Sequence, residues 1–226
     1  STVRANPTYG QSIVSYTGSG TSGNTVGHGL SSAPNLVIIK MRSGTDSWVV
    51  VTRGAGITDY TGRHLNLDYA FNDQAYNVSA MSSSTFTLGN DAQSNANNST
   101  YVAYCFHDVT GYSKFSSYSG TGGTHTVTTG FSPAFIMIKQ SSASGENWKM
   151  YDNTRYPNTA ERTLDANTNG VEGGGSAIKI NYLSTGFQVV GTNADINTNN
   201  ATYFYMAFAD KREYAYWLDQ SGNNND

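Results

Sequence analysis

The sequence predicts an all-β protein made of tandem antiparallel β-sandwich repeats, with jelly-roll or lectin-like layering, packed on each other. Three observations support this prediction. A twelve-residue stretch occurs twice, the apolar segments are short and bounded by turn residues, and the 226-residue chain is rich in Gly (24) and Tyr (16). Aromatic and β-branched residues favour strands, while Gly, Asn and Ser favour turns. No convincing amphipathic helix longer than two turns is found.

The internal repeat defines the predicted organisation of the chain. The stretch NNSTYVAYCFHD at 97–108 returns as NNATYFYMAFAD at 199–210, 102 residues later, with six of the twelve residues identical. The remaining alignment pairs Tyr16 with Tyr118, Gly18 with Gly120, Gly29 with Gly130, Pro34 with Pro133, Lys40 with Lys139, Trp48 with Trp148 and Phe86 with Phe187. We therefore expect an extended lead-in at 1–11, sandwich repeats at 12–110 and 113–211, and at 212–226 the start of a following segment that is cut short.

Short apolar segments give the predicted strands. In the first repeat we expect strands at 12–18, 36–41, 47–52, 84–89 and 101–108. In the second repeat we expect strands at 114–120, 124–129, 134–140, 147–152, 176–181, 186–191 and 202–210. The runs LVIIK at 36–40 and FIMIK at 135–139 are continuously apolar, which is typical of strands buried on both faces. The segment 178–183 alternates, which indicates a strand with one wet face.

Turn residues mark where the buried runs begin. Pro34 and Pro133 stand before these runs, at the start of a strand, where a missing N–H is tolerated. Gly29 and Gly130 precede them, as a tight turn requires. Only residues 109–112 connect the repeats, so we expect the two copies to pack on each other with pseudo-twofold or screw symmetry.

Composition excludes several classes of function. The chain carries 13 Lys and Arg against 16 Asp and Glu, a net charge of −3, which argues against a nucleic-acid partner. No apolar run is long enough for membrane insertion. The single Cys105 lies in an apolar strand pattern and cannot form an intramolecular disulfide, so we expect it to be a small buried hydrophobic residue.

Several longer stretches resemble a known group of proteins. They include VRANP at 3–7, IVSYTG at 13–18, VGHGL at 26–30, YVAYCFHDV at 101–109, GFSPAFIMIK at 130–139, STGFQVVG at 184–191 and YWLDQSGNNND at 216–226. With them the chain resembles, over essentially its whole length, a repeated β module of phage and prophage tail-fibre or appendage-like virion structural proteins of the marine and cyanobacterial type. The second repeat has TVTTGF at 126–131 in place of VGHGL, which argues against any role of His28 that requires both copies.

The resemblance implies a location and partners, and no assigned chemistry. The location is the virion, on the particle surface or the tail. The expected partners are other virion proteins and further copies of the chain, as a homo-oligomer for which a trimer is one option. A host surface glycan is a further candidate partner.

The sequence contains no clear catalytic set. A glycosidase needs two opposed carboxylates, and the four Glu residues, Glu146, Glu161, Glu172 and Glu213, all lie outside the first repeat. Asp108 and Asp210 are repeat-equivalent, which is typical of strand-end residues. The histidines are His28, His64, His107 and His125, and no G-x-S-x-G motif accompanies them. His107 and Asp108 are neighbours on a predicted strand, so their side chains should point to opposite faces.

Metal binding has one weak candidate. The stretch DANTNG at 165–170 matches the opening of a calcium loop, but Ser176 stands where a bidentate Glu is needed and Glu172 is misplaced. A turn-rich loop explains the pattern better, and no Cys/His cluster suits zinc. We therefore expect no catalytic, cofactor or metal site.

Three functional hypotheses remain. The first is a non-enzymatic structural and adhesion module that spaces and presents host-contact surfaces. The second is a carbohydrate-binding, lectin-like module, because Tyr-, Ser-, Asn- and Gly-rich loops suit adaptable recognition. Trp48 and Trp148 are best explained as core residues, although a tryptophan at a strand end can stack on a sugar ring. The third is a glycan hydrolase carried on an appendage.

Overall fold

A computed structural model describes residues 1–210, so the expected segment at 212–226 and Glu213 lie outside the described residues. This part of the chain forms twenty β-strands, two four-residue α-helices and two 3-10 turns, Pro7–Tyr9 and Ser176–Ile178. Every strand pairing is antiparallel. The prediction of an all-β sandwich fold is confirmed.

Two sheets form the first repeat. The strands are β1 (Thr2–Asn6), β2 (Gln11–Thr17), β3 (Thr25–Gly27), β4 (Leu36–Met41), β5 (Val49–Thr52), β6 (Thr61–His64), β7 (Asn72–Asp73), β8 (Val78–Met81), β9 (Thr85–Leu88) and β10 (Thr100–Phe106), with α1 at Ala92–Asn95. The large sheet has the order β1-β2-β10-β4-β5-β6-β7, and the small sheet has the order β3-β9-β8. Because β1 pairs along its whole length with β2, the lead-in is an edge strand of this repeat.

The second repeat has the same plan. Its strands are β11 (Ser113–Ser119), β12 (His125–Thr128), β13 (Pro133–Gln140), β14 (Lys149–Asp152), β15 (Thr159–Ala160), β16 (Arg162–Asp165), β17 (Gly173–Gly174), β18 (Ile180–Leu183), β19 (Gly186–Val189) and β20 (Thr202–Ala209), with α2 at Ala194–Asn197. The large sheet has the order β11-β20-β13-β14-β16-β17, and the small sheet has the order β12-β19-β18-β15. The strand predicted at 176–181 is wrong at its start, because 176–178 form a 3-10 turn after Gly175, whose φ is +134°.

Each sandwich encloses its own apolar core. In the first repeat the alternating residues Val14 and Tyr16 of β2 face Phe86 of the small sheet. In the second repeat Tyr118 contacts Phe187 in the equivalent way. Burial of such rings and aliphatic side chains supplies roughly 25 cal/mol per Å² of apolar surface removed from water, which is the main driving force for closing each sandwich.

A third apolar cluster joins the repeats. It combines Leu36, Val50 and Ala55 of the first repeat with Phe115, Met137, Trp148, Phe204 and Met206 of the second. The outward faces of the two large sheets therefore pack back to back, and β4 is buried on both faces, as its continuous apolar run predicts. Backbone contacts reinforce the cluster, because the Phe71 N–H donates to Ser141 O at 2.9 Å and the Gly145 N–H donates to Asp68 O at 3.1 Å.

Candidate functional site

The second repeat covers only part of the outward face of the first repeat's large sheet. Along this face, β-register places Arg4, Ile13, Tyr104 and Ile38 in one cross-strand row. The next row contains Asn6, Gln11, Phe106 and Leu36. Leu36 and Ile38 belong to the cluster between the repeats, whereas Ile13 is 52% exposed. The half of the face that belongs to β1 and β2 is therefore open.

This open half contains a groove of about 400 Å³, which we call the outer-face groove. Its lining includes Arg4, Asn6, Gln11, Ile13, Tyr104 and Phe106. The floor is apolar and aromatic, and the polar side chains come from the edge strand β1 and the start of β2. Ala5 and Ser12 complete the lining, which contains no carboxylate. This composition suits binding of a neutral or anionic ligand with an apolar surface.

Trp48 lies beside the groove and extends its aromatic surface beyond Tyr104. The Trp48 ring stacks on the Tyr104 ring with a centroid separation of 6.3 Å and an interplanar angle of 26°, and both side chains are partly exposed. Within residues 1–210, neither the indole N–H of Trp48 nor the hydroxyl of Tyr104 has a hydrogen-bond partner. Trp48 is held from its backbone, because its N–H donates to Asn66 Oδ1 at 2.9 Å.

The repeat-equivalent tryptophan has a different environment. Trp148 is 1% exposed, packs against Phe71 and Phe204, and donates its indole N–H to His64 O at 3.2 Å. Trp148 is thus a core residue of the interface between the repeats, whereas Trp48 is a surface platform. The two tryptophans occupy equivalent positions in the repeated sequence. Their environments differ because the contact between the repeats covers Trp148 and leaves Trp48 partly exposed.

Three cations lie on the open face. Arg4 lines the groove. Lys40 is paired with Val102 in the register of β4 and β10. The Arg42 Nη1 donates to Ser15 Oγ at 3.2 Å. Six ion pairs connect described residues, and all of them fall within 108–195. In the described part of the chain none of the three cations forms an ion pair with a carboxylate, and the Lys40 Nζ donates to Met41 O at 2.8 Å and to Gly44 O at 3.3 Å.

The carboxylates considered as catalytic candidates form hydrogen bonds and ion pairs within the fold. Asp108 accepts the Phe115 N–H at 2.7 Å and pairs with Lys114, so it anchors the connection between the repeats. Glu146 lies beside Asp195, and burial followed by this neighbouring carboxylate raises the pKa of Glu146. Asp195 in turn accepts the Asn147 N–H at 2.6 Å, and none of these carboxylates lines the outer-face groove.

The side-chain oxygens of the candidate calcium loop accept hydrogen bonds from other protein groups. Asp165 accepts from Lys149 Nζ at 2.8 Å and from Asn147 Nδ2 at 3.0 Å. Asn167 Oδ1 accepts the Trp148 N–H at 2.9 Å, and Glu172 pairs with Arg155. Among the described residues, no group of three or more His, Cys, Asp or Glu side chains is placed to hold a metal ion.

The histidines and the cysteine have local partners. Burial lowers the pKa of His28, whose Nδ1 accepts the Leu30 N–H at 3.1 Å. Burial also lowers the pKa of His64, whose Nε2 lies 2.7 Å from Gln93 Oε1. His107 Nδ1 lies 2.8 Å from the backbone oxygen of Asp108 and is not bonded to its carboxylate. Cys105 is fully buried, and burial raises the pKa of its thiol to about 12.

Comparison with known proteins gives a family without an assigned activity. A family model described as a domain of unknown function (DUF7483) matches residues 1–212. No curated protein and no solved structure gives a significant match. Among the described helices, none has the length and apolar character needed to cross a membrane.

Proposed function

The chain belongs to the DUF7483 family of domains of unknown function, and we propose that it is a non-enzymatic structural and adhesion module of a phage tail fibre or another virion surface appendage. In this role the module spaces and presents surfaces that contact the host. Its partners would be other virion proteins and further copies of itself. The virion assignment comes from the resemblance of the repeated segments, and the mechanical role comes from the way the repeats are joined.

The observation that carries the mechanical role is the apolar cluster between the repeats. A residue such as Trp148 contacts Phe71 across the interface, so the two sandwiches share a core. The connection at 109–112 is also a hydrogen-bonded turn, because the N–H groups of Tyr112 and Ser113 both donate to Val109 O at 2.9 Å. A stiff pair of sandwiches transmits force and fixes spacing better than two domains on a flexible linker.

Location and stiffness test this proposal together. Antibodies raised against the chain should label a surface appendage of phage particles that carry this sequence, as seen by immuno-electron microscopy. Small-angle scattering of the chain should fit one rigid body that contains both repeats. Absence of the chain from purified particles, or scattering that requires freely moving repeats, would contradict the proposal.

A carbohydrate-binding function is the second candidate, and the outer-face groove favours it. Stacked, partly exposed rings beside amide and guanidinium groups are the elements with which proteins bind sugars, because C–H faces pack on the rings and hydroxyls bond to the polar groups. A glycan array with the whole chain, run with and without calcium, tests this function. Saturable binding to one glycan class would support it, and no binding at high protein concentration would leave a spacer module.

A further inference from the structure

We propose that the outer-face groove binds an acidic sugar residue of a surface polysaccharide, with the pyranose ring on Tyr104 and Trp48 and the carboxylate at Arg4. This inference rests on the carbohydrate-binding candidate function and names its ligand class. It concerns the open half of the first repeat's outward face and predicts one site per chain.

The ring platform determines where the sugar lies. Tyr104 and Ile13 are paired residues on neighbouring strands, so their side chains stand side by side in the groove floor. The Trp48 ring lies next to the Tyr104 ring and carries an indole N–H without a partner among residues 1–210. An apolar patch with unused donors fits a pyranose, which has one C–H face and a rim of hydroxyl acceptors.

The charge pattern selects an acidic sugar. Arg4 pairs with Ile13 in the cross-strand register, which brings its guanidinium to the edge of the ring platform. Lys40 and Arg42 lie on the same face, and the described ion pairs all fall within 108–195. A guanidinium without a protein partner binds a carboxylate through two parallel hydrogen bonds. Asp46 is not among the residues that line the groove.

The second repeat lacks an equivalent site for a visible reason. Its outward face is covered by the first repeat at Trp148, and Lys139, the counterpart of Lys40, is 0% exposed. Among residues 1–210 the groove therefore exists once, although the sequence is duplicated. The open face is also continuous with the interface between the repeats through Phe106, so a second copy of the chain is the competing occupant.

Titration calorimetry on the whole chain separates these possibilities. The ligands are an oligogalacturonate and its methyl ester, which has the same sugar backbone and no negative charge. We expect one saturable site for the acid, affinity that falls with added salt, and at least tenfold weaker binding of the ester. Arg4→Gln should weaken acid binding at least tenfold and weaken ester binding much less. Trp48→Ala should weaken both.

The control variant is Arg162→Gln, which removes the same charge from an exposed strand position of the second repeat. It should bind the acid as the unmodified chain does. Equal loss in Arg4→Gln and Arg162→Gln, or no saturable acid binding, overturns the inference. Binding of the ester as tightly as the acid overturns the acidic class but retains the carbohydrate-binding function. A dimer in light scattering that Trp48→Ala dissociates would assign the face to a second copy.

Discussion

Single residues in the two repeats make the same buried polar contacts. Asn95 ends α1 and Asn197 ends α2, and each side-chain amide donates to the carbonyl of a glycine in the preceding turn, Gly89 at 2.8 Å or Gly191 at 2.7 Å. Tyr101 behaves in the same way as its counterpart Tyr203, since each donates to the first residue of the neighbouring helix. These contacts fix the single-turn helices, which are too short to be stable alone.

Removing either amide should therefore destabilise the fold. We expect Asn95→Ala and Asn197→Ala each to lower the free energy of unfolding by about 1–3 kcal/mol, because a buried carbonyl loses its donor. Urea unfolding followed by circular dichroism measures this change. Asn199→Ala, at an exposed position, is the control and should have little effect. Equal stability of Asn95→Ala and the control would show that solvent replaces the lost bond.

One buried lysine should make stability depend on pH. Burial lowers the pKa of Lys139 from 10.5 to about 8, against the opposing effect of Asp68, Glu146 and Asp195. The unfolded chain therefore binds more protons at this lysine than the folded chain between about pH 8 and pH 10.5, so the contribution of Lys139 to stability rises with pH in this window. We expect Lys139 to contribute a gain of about 2 kcal/mol between pH 7 and pH 9.5, at about 1.4 kcal/mol for each pKa unit. Cys105 acts in the opposite direction, because burial raises the pKa of its thiol from 9.0 to about 12 and its contribution to stability falls as the pH rises.

The test compares two repeat-equivalent lysines. Between pH 7 and pH 9.5, the change in unfolding free energy should be about 2 kcal/mol less favourable in Lys139→Met than in the unmodified chain. Lys40→Met should match the unmodified chain, because Lys40 is partly exposed. Denaturant titrations at several pH values give both curves. If the pH dependence of Lys139→Met equalled that of the unmodified chain, Lys139 would not contribute to it.

Elements with a strong apolar pattern were predictable from the sequence, and elements held by pairing alone were not. The run at 36–41 is found as β4 with the same bounds, because its apolar residues are buried on both faces. The two-residue strands β7 and β17 are Asn72–Asp73 and Gly173–Gly174, which have no hydrophobic period to detect. Strand β1 has one partly buried residue, Val3, so its pairing with β2 left no signal.

The groove was unpredictable for a related reason. Tyr104 is far in the sequence from Arg4 and Ile13, and the three residues become neighbours only through the register of β1, β2 and β10. The aromatic and turn-rich composition indicated a binding surface in general terms. It could not distinguish Trp48 from Trp148, because the difference between them is the cover that one repeat provides to the other.

A close approach between elements explains one repeated glycine. A Cβ added to Gly18 would lie 2.4 Å from Ala96 O, and one added to Gly120 would lie 2.2 Å from Thr198 O. Both glycines thus allow the end of a long strand, β2 or β11, to pass close to the turn after a helix. Side chains at these positions require a backbone shift in each sandwich.

Substitution of these glycines should be costly. We expect Gly18→Ala and Gly120→Ala each to lower the free energy of unfolding by about 1–3 kcal/mol, as overpacking does in a dense interior. Gly123→Ala is the control, because a Cβ there would meet no atom within 4 Å. Thermal unfolding of the three variants checks the order. If Gly18→Ala matched Gly123→Ala, the turn would have to be freely adjustable.

At the scale of the whole molecule, two sandwiches behave as one body because they share an apolar cluster. The outward face of the second repeat is covered by the first, while the first keeps its β1 and β2 half open. The same duplication thus provides both a rigid joint and a free binding face. That asymmetry suits the proposed role in a virion appendage, since one face would maintain the spacing and the other would contact a ligand.

The two equivalent tryptophans test this asymmetry. Trp148→Ala should lower the free energy of unfolding by about 3–5 kcal/mol, because it opens a cavity in the shared cluster and leaves His64 O without its donor. Trp48→Ala should cost about 1 kcal/mol, since its ring is partly exposed already. Urea unfolding should show one transition in the unmodified chain. Two transitions in the unmodified chain, or equal costs for the two variants, would mean that the repeats are stable independently and that the cluster between them adds little.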